Sequence, residues 1–278
     1  MIAINKFNFF IFGTGRLAHS FVYSLQNAGF YISGVYDRNL NNAKEFAEKF
    51  NIKFYTSDLY NIVVPKNSLI FLAISDSSLV DFSIIIKKEL DLSNKPFFIH
   101  FSAALSSDIL SQIYNDSNFI GSMHIMQTFP DKNIYSLENC YCAIETDDND
   151  LRNLLSILAE KLSLKIKYIN KRDKILYHLI GVFASNFLVA NLFYTKYLAE
   201  KINISEKELL DIILPIIDTT LQNSKNNGII NSLSGPVIRN DYLTIEKHRQ
   251  ALQSLNNNLL LDYYNVVLKI QEEIKKIL

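Results

Sequence analysis

Two hydrophobic rhythms alternate along the first part of the chain, and only one of them continues to the end. Dense apolar runs at 7–12 ("FNFFIF"), 31–37 ("YISGVYD"), 68–74 ("SLIFLAI") and 96–102 ("PFFIHFS") predict strands buried on both faces. "NFIGSMHIM" and "CYCAIET" predict two more. Between these runs, Leu17, Ala18, Phe21, Val22, Leu25 and Ala28 recur at helical spacing over 15–28, and helices are predicted again over 40–50 and 77–90. Strands separated by helices imply right-handed crossovers and a parallel sheet. Near residue 170 the strand pattern stops, and helical periodicity runs through 173–200, 205–226, 241–255 and 257–277, with a loop or short broken helix at 228–240. The expected fold class is therefore α/β: a doubly wound, mostly parallel sheet over 1–169, then an all-helical domain over 170–278.

One helical segment stands apart. "ILYHLIGVFASNFLVANLFYT" (175–195) contains no Asp, Glu, Lys or Arg and is about long enough to span a bilayer. His178, Ser185, Asn186 and Asn191 interrupt it, and polar groups in hydrocarbon are costly. A helix apolar all round is expected in a protein core. Burying it on every side is easier with a second subunit, so a homodimer through the helical domain is expected, with no membrane partner.

Lys+Arg and Asp+Glu both number 28, so the net charge is zero. This argues against a nucleic-acid partner, which needs an excess of positive charge, and leaves a small-molecule substrate as the expected partner. Cys140 and Cys142 are expected to be reduced thiols in a cytoplasmic setting. The N-terminus lacks the basic region and cleavage site of a signal peptide.

The chain has only 8 glycines, and two of them stand one residue apart directly after the first apolar run. Strand, then Gly13-Thr14-Gly15-Arg16-Leu17-Ala18, then helix, is the dinucleotide fingerprint in its G-x-G-x-x-A form. Gly13 permits the sharp turn off the strand, Gly15 lets a pyrophosphate approach the backbone, and Ala18 allows close packing of helix on strand. The phosphates would rest on free N–H groups at the helix start. Asp37 ends the second predicted strand, where a carboxylate accepts hydrogen bonds from the adenosine ribose and favours NAD; it is also placed to turn away or to cap the helix beginning near Leu40. Arg38 follows at once and suits the 2′-phosphate of NADP.

In a doubly wound sheet, ligands lie beyond the carboxyl ends of the strands. Ala73, Ile74 and Ser75 are expected to line the cofactor there, with Asp76 as a helix cap. Ser102 is a candidate to bond the nicotinamide or the substrate, while His100, two residues before it, can face elsewhere. His124, Gln127 and Thr128 follow another strand. On the apolar helix, His178, Val182, Ser185 and Asn186 are spaced to share one face. His178 is the candidate proton donor, and Asn186 and Ser102 would orient the substrate or the carboxamide. Arg239, Asp241 and His248 follow the Gly235-Pro236 turn, where they either bind an anionic substrate or brace a helix, and His19 is expected to be structural. Neither metal-ligand spacing nor a serine-nucleophile elbow is present.

The turn "GTGRLA", then "VYDRN", "FLAISDSSL", "IHFSAAL", "HIMQTF", "YHLIGVFASNF" and "GPVIRNDYLTIEKHRQAL", in this order, resemble the Rossmann-like proteins with a C-terminal domain known as DUF2520. The resemblance covers nearly the whole chain. It implies an oxidoreductase-like protein dependent on NADP or F420, and tips the cofactor from NAD towards NADP. It also implies a fold similar to pyrroline-5-carboxylate reductase, 6-phosphogluconate dehydrogenase and 3-hydroxyisobutyrate dehydrogenase, in which a helical domain closes the site and builds a dimer. The hydroxyacid dehydrogenases place a catalytic Lys four residues before an Asn; if Asn186 matches that Asn, Val182 stands at the Lys position. The expected function is hydride transfer between a nicotinamide and a small carbonyl or imine. A non-catalytic dinucleotide sensor and an F420-dependent NADP reductase-like protein are the alternatives.

Overall fold

The computed structural model describes residues 4–278. The strand β1 (Asn8–Phe12) is buried on both faces because its side chains alternate between two cores. Phe9 and Ile11 pack with helices α1 (Arg16–Asn27), α2 (Leu40–Lys49) and α4 (Asn149–Lys161). Phe10 and Phe12 pack on the other face with α3 (Asp76–Glu89) and the short helix Ser107–Ile113. Fully burying one such Phe is worth roughly 1.5–3 kcal/mol, and the two layers of apolar contact hold the sheet between helices.

The sheet has eight strands in the order β3-β2-β1-β4-β5-β6-β7-β8, adding β2 (Ile32–Tyr36), β3 (Tyr55–Thr56), β4 (Ser68–Leu72), β5 (Phe97–His100), β6 (Ile120–Ile125), β7 (Tyr141–Glu145) and β8 (Lys165–Tyr168). The pairs from β3 through to β6 are parallel. β7 runs antiparallel to β6, and β8 is parallel to β7 through the crossover helix α4. The sheet is thus mostly parallel, as expected, with its one antiparallel pair among the described residues between β6 and β7. A connection without a crossover helix, 126–140, returns the chain in the opposite sense. The chain order reverses between β1 and β4, which opens a crevice at their carboxyl ends.

The chain divides into two compact units, one ending at Ser185 and one spanning Asn186–Leu278. In the first, α5 (Lys174–Gly181) runs into a wide π-turn, Val182–Asn186. The second contains α6 (Phe187–Glu200), α7 (Glu206–Asn227), α8 (Tyr242–Ser254) and α9 (Asn258–Ile277). Ser205, Asp241 and Asn257 cap α7, α8 and α9 by accepting backbone N–H bonds. Its small core gathers Val237, Ile245 and Leu268 around Tyr264.

The helix Lys171–Glu200 is long and apolar enough to cross a membrane by length and composition, and its most apolar window is wholly unburied. A single chain thus leaves uncovered the helix for which a second subunit was the expected cover. The exposed positions include Leu176, Ile180 and Phe183 in the first unit and Val189 and Phe193 in the second, each more than half exposed.

Candidate cofactor site

Gly13 leaves β1 with φ +95°, a conformation that favours glycine. Its N–H donates to the Tyr36 carbonyl at 2.7 Å, and Ala73 N–H donates to the Phe12 carbonyl at 2.7 Å, so the turn is tied to both neighbouring strands. A Cβ on Gly13 would lie 2.5 Å from the Ala73 carbonyl oxygen. Gly15 is the N-cap of α1 and offers no side chain to the first-turn N–H groups. Those donors, and the positive end of the helix dipole, fit an anion.

The turn opens on a cleft of about 530 Å³ lined by Gly13, Thr14, Gly15, Asp37, Arg38 and Ala73–Ser75, with Ser77, Ser78 and Phe82 along α3. The residues chosen from the sequence for the cofactor thus share one cleft, apart from Arg16 and Leu17, which open α1 beside it. The cradle fits a dinucleotide. Glycine turn, uncapped helix start and ribose-side carboxylate lie in the order such a ligand needs.

Asp37 is more engaged than its position in the sequence suggested. Its Oδ2 accepts from Thr14 N–H at 3.0 Å and from Thr14 Oγ1 at 2.7 Å, and its Oδ1 accepts from Asn39 N–H at 3.0 Å. Asn39, not Asp37, caps α2. Arg38 is exposed and forms no ion pair among the described residues.

At the next strand ends the expectation for Asp76 is corrected. Ser75 is the N-cap residue of α3, and its hydroxyl meets those of Ser77 and Ser78. Asp76 instead accepts the Ser102 hydroxyl at 2.6 Å, a charge-assisted bond across the mouths of β4 and β5. Ser102 Oγ also accepts from Ala104 and Leu105 N–H, so its one hydrogen is committed to Asp76. His100 is fully buried. Its Nδ1 accepts from Ser102 N–H at 3.1 Å while Nε2 donates to the Ser106 carbonyl at 3.2 Å, which makes it a brace for the 101–106 loop. Burial and, next, the Lys174 charge push its pKa down to about 3.

His124 Nδ1 donates to the Phe101 carbonyl at 3.1 Å, leaving Nε2 as an acceptor, and Tyr177 packs edge-on to its ring. Burial lowers its pKa to about 4, with the Lys174 and His178 charges adding to the effect. A ring held neutral in this way accepts hydrogen bonds and does not donate a proton near neutrality. His178 is half-buried on α5, and its ring hydrogen-bonds to no described residue. The π-turn inserts one residue into the helical repeat. His178, Val182 and Ser185 are nevertheless all half-buried, whereas Leu179, Ile180, Phe183 and Ala184 between them are exposed. Asn186 is the last residue of the turn and opens the second unit.

Other candidates have structural duties. Gln127 Nε2 donates to the Ser136 carbonyl, and its Oε1 accepts from Thr128 N–H. His19 is buried with Lys49 Nζ 3.1 Å from its Nδ1, and burial lowers its pKa to about 4. In the helical unit, Asp241 caps α8, His248 Nδ1 lies 3.0 Å from the Tyr264 hydroxyl, and Arg239 is exposed. Among the described residues no group of His, Cys, Asp and Glu could hold a metal ion.

Sequence reasoning missed Lys174 and Glu145. Both are charged and almost wholly buried, 3.9 Å apart. The only local signal was a charged residue at the edge of an apolar run, "CYCAIE" in one case and "KILYHLIG" in the other.

Residues 140–269 match a domain described as a domain of unknown function, DUF2520. No curated protein matches the chain in sequence. A solved structure from Bacteroides fragilis, provisionally assigned as an NADP oxidoreductase, is 23% identical with a TM-score of 0.78, covering 98% of this chain and 100% of its own. A Thermotoga maritima protein is 24% identical with a TM-score of 0.71, covering 96% and 98%. A 1-pyrroline-5-carboxylate reductase from Streptococcus pyogenes is 14% identical with a TM-score of 0.65, covering 97% and 99%. At these identities the likeness concerns the fold, and with the 3-2-1-4-5-6 strand order it makes this chain an α/β protein of the Rossmann type carrying a helical C-terminal part.

Proposed function

We propose that this protein is a dinucleotide-dependent oxidoreductase that moves a hydride between a nicotinamide and a small carbonyl or imine. The observation that carries the reading is the single cleft joining the Gly13–Gly15 turn, the uncapped start of α1, the Asp37–Arg38 pair and the ends of β4. The nicotinamide would supply the hydride, and the protein's part is binding, orientation and control of the proton. His124, fixed neutral with Nε2 as acceptor, suits a hydrogen bond from an amide or hydroxyl. His178 is the residue of this cluster whose ring nitrogens are free of other described residues, and it is the proposed proton donor. The test is consumption of NADPH and NADH against a panel of small aldehydes, ketones and cyclic imines. Tight binding with no turnover on any of them would favour the sensor reading, which the apolar Val182 also supports.

NADP is the favoured cofactor. Three donors already occupy the Asp37 carboxylate, so less of it is left for ribose hydroxyls, whereas Arg38 is unpaired at the same corner. Arg38→Ala should weaken NADPH by about 1.5–3 kcal/mol, the value of a charged hydrogen bond, and leave NADH nearly unchanged. Calorimetric titration with both cofactors checks this; equal losses would assign the corner to Asp37 and NAD.

The uncovered apolar side chains of α5 and α6 support a homodimer as the working form. Light scattering at micromolar concentration should give twice the chain mass of 32.0 kDa. A monomeric mass contradicts the dimer, and solubility only in detergent would assign the surface to a membrane.

A further inference from the structure

Lys174 and Glu145 are buried to 1% and 2% side-chain exposure, yet neither lines the cleft. Lys174 Nζ donates to the Ser102 carbonyl at 3.0 Å and to Ser122 Oγ at 2.6 Å. Ser122 Oγ passes its own hydrogen to Glu145 at 3.0 Å. Glu145 further accepts Ser107 N–H at 2.8 Å and Ser107 Oγ at 2.7 Å. The 101–107 segment is thus gripped at both ends, at Ser102 by Lys174 and at Ser107 by Glu145. A buried ion pair is a poor source of stability, since desolvation offsets most of its attraction, and apolar residues of similar size often do as well. What such a pair supplies is a fixed geometry.

The geometry it fixes is that of the loop following β5. The strand order β2-β1-β4-β5 puts Asp37 and Arg38 at one side of the glycine turn and Ser102 at the other. A dinucleotide with its adenosine over β2 and its pyrophosphate at α1 would carry its nicotinamide over β4 and β5. We propose that the Lys174–Ser122–Glu145 network is a buried latch that sets the Ser102–Leu105 loop for the nicotinamide half of the cofactor, with Lys174 as a positioning residue. The inference rests on the dinucleotide reading above. It predicts an effect on one half of the ligand only. The adenosine half meets residues of β2 and α1, which the latch does not touch.

The full-length chain is titrated with NADPH and with 2′-phospho-ADP-ribose, which lacks the nicotinamide; NADH and ADP-ribose replace them if the wild type prefers NADH. Lys174→Met should raise the Kd for NADPH roughly 10-fold or more, as for loss of a charge-assisted hydrogen bond, and leave 2′-phospho-ADP-ribose within about twofold. The emission of bound NADPH should move towards that of the free cofactor. Ser122→Ala removes the bridge without unpairing a charge, and should give the same split at roughly threefold; it decides the matter alone if the Lys174 variant does not fold. Equal weakening of both ligands, or no change in either, overturns the latch. A wild type that binds neither ligand removes the dinucleotide reading itself, a failure visible before any variant is made.

Discussion

Gly15→Val is expected to fold and to lose NADPH, whereas Gly13→Ala is expected to lose the turn itself. The two glycines are one residue apart and do different work. Gly15 has φ −69°, open to any residue, and a Cβ there would meet the Ala73 carbonyl oxygen at 3.2 Å, a tight contact that a small shift relieves. The branched side chain of Val would then stand over the first-turn N–H groups, where the pyrophosphate must approach. Losing two charge-assisted bonds to phosphate costs about 3–6 kcal/mol, a weakening of roughly 100-fold or more. Gly13 has φ +95°, and a Cβ would come within 2.6 Å of Ile74 Cγ2 as well as 2.5 Å of the Ala73 oxygen. Backbone strain and overpacking together should cost roughly 2–5 kcal/mol of stability. Denaturant titration separates the cases: wild-type stability with lost calorimetric binding for Gly15→Val, and a large fall in midpoint for Gly13→Ala. Wild-type affinity for NADPH in Gly15→Val would end the dinucleotide assignment.

The candidate cleft was legible because its signal is local. Strand, glycine turn, helix and acidic residue follow one another within 7–38, and the cleft gathers the same residues. The sheet was less evenly legible. β3 is a two-residue strand at the sheet edge, and β8, "KIKY", carries polar residues because it lies at the other edge. Neither has the dense apolar run that marks the central strands. α4 does carry a local signal that the expected elements leave out, with Asp148 as its cap and Leu151, Leu154, Leu155 and Leu158 on its buried face. The reversal at β7 was also signalled, since no helical pattern separates β6 from β7.

The candidate residues beyond the cleft were legible only in part, because long-range partners decide what each group does. Asp76 sits in "SDSS", which reads locally as a cap, but its partner Ser102 is 26 residues away. Lys174 bonds a carbonyl 72 residues away and a hydroxyl 52 residues away, and no spacing rule reaches that far. The π-turn is likewise invisible in the apolar stretch that contains it.

The same network makes the first unit sensitive to acid. His100 is wholly buried as a neutral ring, with Nδ1 accepting from Ser102 N–H and Nε2 donating to the Ser106 carbonyl. A proton on Nδ1 would set two donors against each other. Burial and the Lys174 charge accordingly hold the folded-state pKa near 3, and burial holds that of His124 near 4, against an ordinary value of 6.5. Below pH 6.5 the unfolded chain binds protons that the folded chain refuses, so stability falls as the pH drops through 6.5 and goes on falling until about 3–4. Between pH 7 and pH 5 each ring should cost about 2 kcal/mol, and with buried His19, whose pKa burial also lowers to about 4, the three together about 6 kcal/mol, before most carboxylates begin to titrate. Urea titrations at the two pH values measure the difference. His100→Asn should be less stable than the wild type at pH 7 and should show about two thirds of the further loss at pH 5. A wild type equally stable at both pH values would mean that His100 and His124 take up protons in the folded state, and that the neutral-ring bracing of the 101–106 loop is wrong.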